Sequence, residues 1–211
     1  MIRRPGATEA VDLPPSTMDG DAMPAEIELK FALSPDAHVA LGRRLGQEWG
    51  PGSMLRQANQ FFDSQDRRLR DQRVNLRLRT ENDRLVVTAK RKVTATADFQ
   101  HHDEWEVVLP AWDGDPATLP RPDWIAAALG DALLVNLGGF ANLRQEWHRD
   151  GEVVCLDRTD FATRIDHELE VEVADAPSAL TRWQARLAAW GIAHAAQPVT
   201  KFARWLDLQG G

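Results

Sequence analysis

The chain has little cysteine, no tyrosine and no long apolar run, and each shortage removes a class of protein. A single cysteine, Cys155, excludes an internal disulfide. No stretch approaches the roughly 18–20 consecutive apolar residues that span a bilayer. Met1-Ile2-Arg3-Arg4-Pro5 leads into no apolar core of a signal peptide. These absences read as a soluble, cytoplasmic protein. Surplus positive charge is lacking too: the net charge is −7, against the basic surface a broad nucleic-acid binder uses. Among the aromatics, Trp183 and Trp190 fall on a helical stripe and Trp105 on an apolar strand parity. Core packing therefore explains them better than base stacking.

What is present fits one domain of ordinary composition, with 43% apolar and 27% charged residues. Residues 1–24 carry scattered prolines without apolar periodicity and read as a disordered extension. Residues 25–208 form the folded domain. Strands are predicted at Glu26–Phe31, Gln57–Asp63, Val74–Thr80, Arg84–Lys92, His102–Leu109, Asn142–Arg149, Glu152–Asp157 and His167–Val173. Helices are predicted from Pro35 to Trp49, from Trp124 to Leu137 with a stop at Gly138-Gly139, and from Pro177 to Gly191. About eight strands with three helices make an α+β protein, and the regular strand rhythm suggests a barrel or closed sheet.

The informative feature is the parity of the charges. Glu26, Glu28 and Lys30 share one face of a strand, Arg77 and Arg79 another, and Lys90 lies on a face with Val86 and Thr88. Glu104 and Glu106 alternate with apolar residues, as do Glu168, Glu170 and Glu172. One such strand is ordinarily amphipathic with its charges in water. Five of them, with helices available to cover the apolar faces, turn the charges into a barrel lumen. A lumen of desolvated carboxylates and basic groups needs partners. A divalent cation answers the first and a polyphosphate the second. From Arg56 to Lys92 there are 11 Lys and Arg against 5 Asp and Glu, a local basic excess inside an acidic chain. Cys155 has no His or Cys at ligand spacing, and His101 and His102 face opposite ways, so neither reads as a metal site.

The blocks Glu26-Ile27-Glu28-Leu29-Lys30, Gln60-Phe61-Phe62-Asp63-Ser64, Leu76-Arg77-Leu78-Arg79, Val87-Thr88-Ala89-Lys90, Glu104-Trp105-Glu106, Leu156-Asp157, Glu168-Leu169-Glu170-Val171-Glu172 and Thr200-Lys201-Phe202-Ala203-Arg204 occur in that order. Together they resemble the CYTH superfamily, the triphosphate tunnel metalloenzymes, over residues 25–206. The first block is the ExExK signature. The resemblance implies an α+β fold built on an eight-stranded antiparallel β-barrel, a tunnel covered by a few helices, that binds triphosphate with Mg2+ or Mn2+. It implies metal ligation by Glu26, Glu28, Glu168, Glu170 and Asp157. Phosphate would be gripped by Lys30, Arg77, Arg79, Lys90, Arg144 and Lys201. Glu104, Glu170 and Glu172, with Lys30, would serve the attacking water, and Glu106 and Arg204 would support them. His102 stands where the family usually has arginine.

The expected activity is hydrolysis of inorganic triphosphate to pyrophosphate and phosphate, by positioning and charge stabilisation. Class IV adenylate cyclase, thiamine triphosphatase and a non-catalytic polyphosphate-binding module are the alternatives. The inward parities offer charge and no aromatic face, so an adenine would have to sit at the tunnel mouth. Neither nucleic acid nor a membrane is expected as a partner; a homodimer stays open.

Overall fold

The computed structural model describes residues 25–95 and 99–210, and the side chains of 27–91 and 103–210. The expected N-terminal extension, 1–24, lies outside the described residues. The alternating segment Ala25–Leu33 is strand β1. Ser34 then accepts a hydrogen bond from the Ala37 N–H at 3.1 Å, and Pro35 pre-sets the first turn of α1 (Pro35–Trp49). Strand β2 (Ser53–Ser64) leads to a one-turn helix, α2 (Arg68–Asp71), where the sequence suggests only a solvated turn. Asp63 holds that turn, its carboxylate accepting from the Leu69 and Arg70 N–H groups at 2.9 and 3.1 Å. Strands β3 (Val74–Glu81), β4 (Arg84–Ala95) and β5 (Phe99–Leu109) form the expected meander.

The next helix corrects the sequence reading. α3 covers only Asp123–Leu129 and stops at Gly130, whose φ of 61° suits glycine. Strand β6 then runs from Leu134 to Arg149, straight through Gly138-Gly139. That pair is no helix stop. A Cβ on Gly139 would lie 1.7 Å from the Asn59 carbonyl oxygen, so glycine is what lets β6 approach β2 at the bulge beside Phe61. Strands β7 (Glu152–Asp160) and β8 (Ile165–Val173), helix α4 (Ala176–Ala189) and a three-residue strand β9 (His194–Ala196) follow. The Thr200-Lys201-Phe202-Ala203-Arg204 block opens a further helix, α5 (Lys201–Leu208), capped by the Thr200 hydroxyl.

All pairings are antiparallel, in the order β5-β4-β3-β2-β6-β7-β8-β1, and β1 pairs with β5 as well. Eight strands therefore return on themselves, while β9 adds to the end of β1 as a ninth strand. The apolar parities point outward. Leu29, Leu169 and Val171 pack under α1 and α4 against Leu41, Leu45 and Trp183. Leu76, Leu78 and Val87 pack with Leu69 of α2 and Ile125 of α3. Trp105, partly buried, joins this second cluster on the outside of the ring. α5 lies across one end of the ring, where Trp205 packs with Phe61, Phe140 and Phe161.

Trp183 has no exposed surface, and its indole N–H donates to Glu152 at 3.0 Å. Trp183→Ala is expected to cost about 3–5 kcal/mol, read as a lower urea midpoint with an unchanged m-value. The α1–β8 seam carries a pH dependence. His38 stacks edge-on against His167 at 4.8 Å, and its Nε2 is buried without a hydrogen-bond partner. Burial, then His167 and Arg158, push the His38 ring from 6.5 down to about 4, with Asp157 opposing them. Protonation therefore favours the unfolded chain. The stability that this ring contributes is expected to be whole above pH 6.5 and to decline as pH falls towards 4. A melting series across that window should show the decline in the wild type and a flatter limb in His38→Leu; equal slopes would rule the ring out as its source.

Candidate functional site

Inward parity turns the charged faces of the strands into one cavity of about 400 Å³ inside the ring. β1 supplies Glu28 and Lys30, and β8 supplies Glu170 and Glu172. β3 supplies Arg77 and Arg79, β4 Lys90, β5 Glu104 and Glu106, β6 Arg144, and α5 Lys201. Eleven of the fifteen residues singled out in the sequence thus line a single space. The side chain of Glu26 lies outside the described ones. Asp157, Glu168 and Arg204 do not line the cavity; they are buried at 0, 1 and 7% exposure.

The wall formed by β1, β6, β8 and α5 is densely paired. Lys30 Nζ lies 2.6 Å from Glu28 and 2.5 Å from Glu170. Arg144 is bidentate on Asp157, at 2.9 and 2.7 Å, and also donates to Glu170 at 2.7 Å. Lys201 touches Asp157, Glu168 and Glu170, and Arg204 donates to Glu168 at 2.7 Å. Burial alone would raise the Glu170 carboxyl, but Lys201, Lys30 and Arg144 hold it well below the usual carboxylate range. Asp157 is held at about 2, where Arg144 and Lys201 outweigh its burial. Burial would lower Lys30 and Lys201, yet the carboxylates around them raise both.

The β3 wall is different. Among the described residues, Arg77 donates only to the Thr88 hydroxyl, at 3.2 Å, and its buried Nε has no hydrogen-bond partner. Arg79 donates to Asn59 at 3.2 Å, and its one carboxylate neighbour, Glu81, is 3.7 Å away. Burial, then Arg77 and Arg144, push the Arg79 guanidinium down to about 9. A guanidinium does not deprotonate in a protein, so the shift measures unmet demand for negative charge. Lys90 and Glu104 pair across β4 and β5 at 2.8 Å.

Several lining groups have no charge and escaped the parity search. Gln57 and Asn59 of β2 and Asn142 of β6 face inward, joining the two walls. Asn142 donates to Asp157 at 3.0 Å and to Gln57 at 2.9 Å, and accepts from Thr159 at 2.9 Å. Glu81, Glu146, His148 and Thr200 also line the cavity. Inward alternation along β2 was the available signal, but it is a signal of amides. The expectation of a lumen without aromatics is overturned as well: Phe61, Phe140 and Phe202 line it beside α5. Cys155 is buried on β7 with its thiol pushed well up by burial, as expected of a strand residue.

In a comparison with protein families, the description "CYTH domain" matches residues 24–186. The chain belongs to the CYTH family. Solved structures agree on the CYTH fold. An adenylyl cyclase-named protein of Hippeastrum, described as having a dominant triphosphatase activity, superposes with a TM-score of 0.76 at 24% identity, covering 86% of this chain and 95% of that one. A Bacillus halodurans protein named as an adenylate cyclase gives 0.66 at 21% identity, covering 85% and 96%. The Mimivirus capping enzyme triphosphatase gives 0.52 at 10% identity, covering 82% and 90%. At these identities the likeness establishes the fold. The acidic donors of this CYTH chain are all oxygens, and ligand atoms of Asp157, Glu168 and Glu170 converge within 4.8 Å, a donor set suited to hard divalent cations. No described helix is long and apolar enough to cross a membrane.

Proposed function

We propose that the chain is a metal-dependent hydrolase of inorganic triphosphate, releasing pyrophosphate and phosphate within the lumen. One observation carries the reading: two under-paired guanidiniums, Arg77 and Arg79, face a carboxylate-rich wall across a cavity of about 400 Å³. Triphosphate supplies the anion that β3 lacks. Arg77, Arg79 and Lys90 bind its oxygens from one side, and Lys30, Arg144 and Lys201 complete the cradle from the other. A divalent ion, when bound, neutralises phosphate oxygens and acidifies water. Glu28, Glu170 and Glu172 would hold Mg2+ or Mn2+ there, with Glu26 beside them on the same strand parity. Glu170, held far below the usual carboxylate range, is a poor proton acceptor at neutral pH. That leaves Glu104 and Glu172 to take the proton of the attacking water, with Glu106 supporting Glu104 on β5.

The cyclase reading would use the aromatic wall to hold adenine. That wall is already engaged. Phe61 packs against Phe202, Phe140 and Trp205 at centroid distances of 4.4, 5.4 and 5.5 Å, and Phe61 and Phe140 are only 3 and 8% exposed. Of the three lining rings only Phe202 is partly exposed, and it too is stacked on Phe61 and Trp205, which leaves little face for a base. The test is a phosphate-release panel with triphosphate, ATP and thiamine triphosphate, each in Mg2+ and in Mn2+. Triphosphate should be the best substrate by at least about tenfold in kcat/KM. Cyclic AMP with stoichiometric pyrophosphate from ATP would overturn the assignment.

A further inference from the structure

Two guanidiniums reach the lumen from different walls, Arg79 on β3 and Arg144 on β6, and a line of uncharged side chains joins them. We propose that Gln57 is a positioning residue: with Asn142 and Thr159 it forms a hydrogen-bonded crossbar that fixes Glu81, and through Glu81 the head of Arg79, relative to the Asp157–Arg144 pair. What those guanidiniums hold rests on the proposed function; the crossbar does not.

Register comes first. Thr159 pairs with Asn142 across β7 and β6, Asn142 with Gln57 across β6 and β2, and Gln57 with Glu81 across β2 and β3. Four neighbouring strands thus set these residues in one row, over three inter-strand steps of about 4.8 Å each. The side chains are hydrogen-bonded along the whole row. The Thr159 hydroxyl donates to the Asn142 side-chain carbonyl at 2.9 Å, the Asn142 amide to the Gln57 side-chain carbonyl at 2.9 Å, and the Gln57 amide to Glu81 at 2.8 Å.

The charged ends decide the direction of the row. An ionised carboxylate accepts and does not donate. Gln57 must therefore turn its amide nitrogen towards Glu81, and Asn142 must turn its own towards Asp157 Oδ1, 3.0 Å away. The Asn142 oxygen then needs a donor, which Thr159 supplies. Each end carboxylate meets a guanidinium. The Asp157 oxygen that takes Asn142 also takes Arg144 Nε at 2.9 Å, and the Glu81 oxygen that takes Gln57 stands 3.7 Å from Arg79 Nη1. At that distance Glu81 aims Arg79 by charge and leaves its N–H groups for an anion. Two positions along β2 from Gln57, Asn59 accepts from Arg79 Nε, and its own amide is tied to the Phe140 backbone carbonyl at 3.3 Å.

Holding the sheet together is not what the row adds, because β2 is already paired with β3 and β6 along its backbone. Thr159, Asn142 and Gln57 are 0, 5 and 3% exposed, and burying such groups is unfavourable unless they are matched. Matched in a chain, they polarise and stiffen one another. The gain is orientation at the ends, where Glu81 and Arg79 are otherwise long, flexible stems.

Gln57→Met keeps the length of the side chain and removes its hydrogen bonds. It should lower kcat/KM for triphosphate about tenfold. With Arg79 already replaced by Ala, the same change should cost about twofold or less, because a residue that acts through Arg79 has nothing left to aim. Equal losses in the two backgrounds would overturn the proposal. The Arg79 Nε–H resonance, identified by its loss in Arg79→Ala, gives a readout that needs no substrate. Its nuclear magnetic relaxation should show a looser guanidinium in Gln57→Met, and an unchanged order parameter would also overturn the proposal. Thr159 lies outside the cavity and tests the far end. Thr159→Val should loosen the same resonance, whereas Thr159→Ser, which keeps the hydroxyl, should match the wild type. If Gln57→Met does not fold, the Thr159 pair decides alone. A wild type that releases no phosphate from triphosphate, with Arg79 loosened in the variants, would refute the proposed function and leave the crossbar standing.

Discussion

Arg79→Ala is expected to lower kcat/KM for triphosphate about 10²-fold while leaving the protein as stable as before. Hydrogen bonds to charged groups contribute about 1.5–3 kcal/mol each, and about 1.4 kcal/mol is a factor of ten. Losing the guanidinium's grip on an anionic substrate therefore reaches two decades. In the absence of substrate the same guanidinium is a burden. Burial, Arg77 and Arg144 disfavour its charge, and among the described residues Asn59 at 3.2 Å, Glu81 at 3.7 Å and the more remote Asp157 answer it. Its removal should cost no more than about 1 kcal/mol, or about 2–4 °C in Tm for a chain of this size. Steady-state kinetics beside a thermal melt checks both halves. A variant of normal kcat/KM would remove Arg79 from the site. One that lost activity together with a large drop in Tm would show a structural residue instead.

Lys30→Ala should behave in the opposite sense. Lys30 Nζ bridges Glu28 and Glu170, and side-chain exposure is below a tenth for all three. Taking away the ammonium leaves buried Glu28 without the cation that pairs it, beside a Glu170 that keeps Arg144 and Lys201, and breaking a buried pair this way costs about 3–5 kcal/mol. The loss has a predictable sign with pH. Glu170 is held below its ordinary range in part by Lys30, so in the variant its carboxyl rises and protonation relieves the repulsion. Lys201 and Arg144 still hold Glu170 down in the variant, so urea unfolding should show the deficit of Lys30→Ala shrinking only as pH falls below 4.5, the ordinary value of a glutamate. A deficit that does not change with pH would mean that the loss comes from packing around the lysine stem. Added Mn2+ should recover part of the lost stability, because a cation between Glu28 and Glu170 replaces the missing charge.

These two basic residues look alike in the sequence, each on an alternating strand, and their difference was not legible there. Alternation says which face a side chain occupies. It identified the lumen from Glu28 and Lys30, Arg77 and Arg79, and Glu170 and Glu172, because apolar neighbours at every second position force the charges to the other side. It is silent about depth along the barrel and about which cation meets which anion. Glu168 shares its parity with Glu170 and Glu172, yet it lies behind the cavity wall with Lys201 and Arg204 on it. Gln57, Asn59 and Asn142 passed unnoticed because amides carry no charge to count. The length of β6 was hidden by Gly138-Gly139, which reads as punctuation until the approach of β2 shows why a side chain cannot stand there. α5 was missed because its eight residues fall short of the roughly 10–12 at which periodicity tells a helix from another short apolar segment.

The position of α5 bears on where this domain ends. The family match closes at residue 186, after the last strand of the ring, whereas Lys201 and the aromatic floor come later in the chain. A fragment cut at the family boundary would hold all eight ring strands and still be a different object. Phe61 and Phe140 would lose Trp205, and Asp157 and Glu168 would lose the lysine that contacts them both. The ring of strands by which the family is recognised ends before α5, and that last helix brings a charge of its own, Lys201, to the buried carboxylates of the ring.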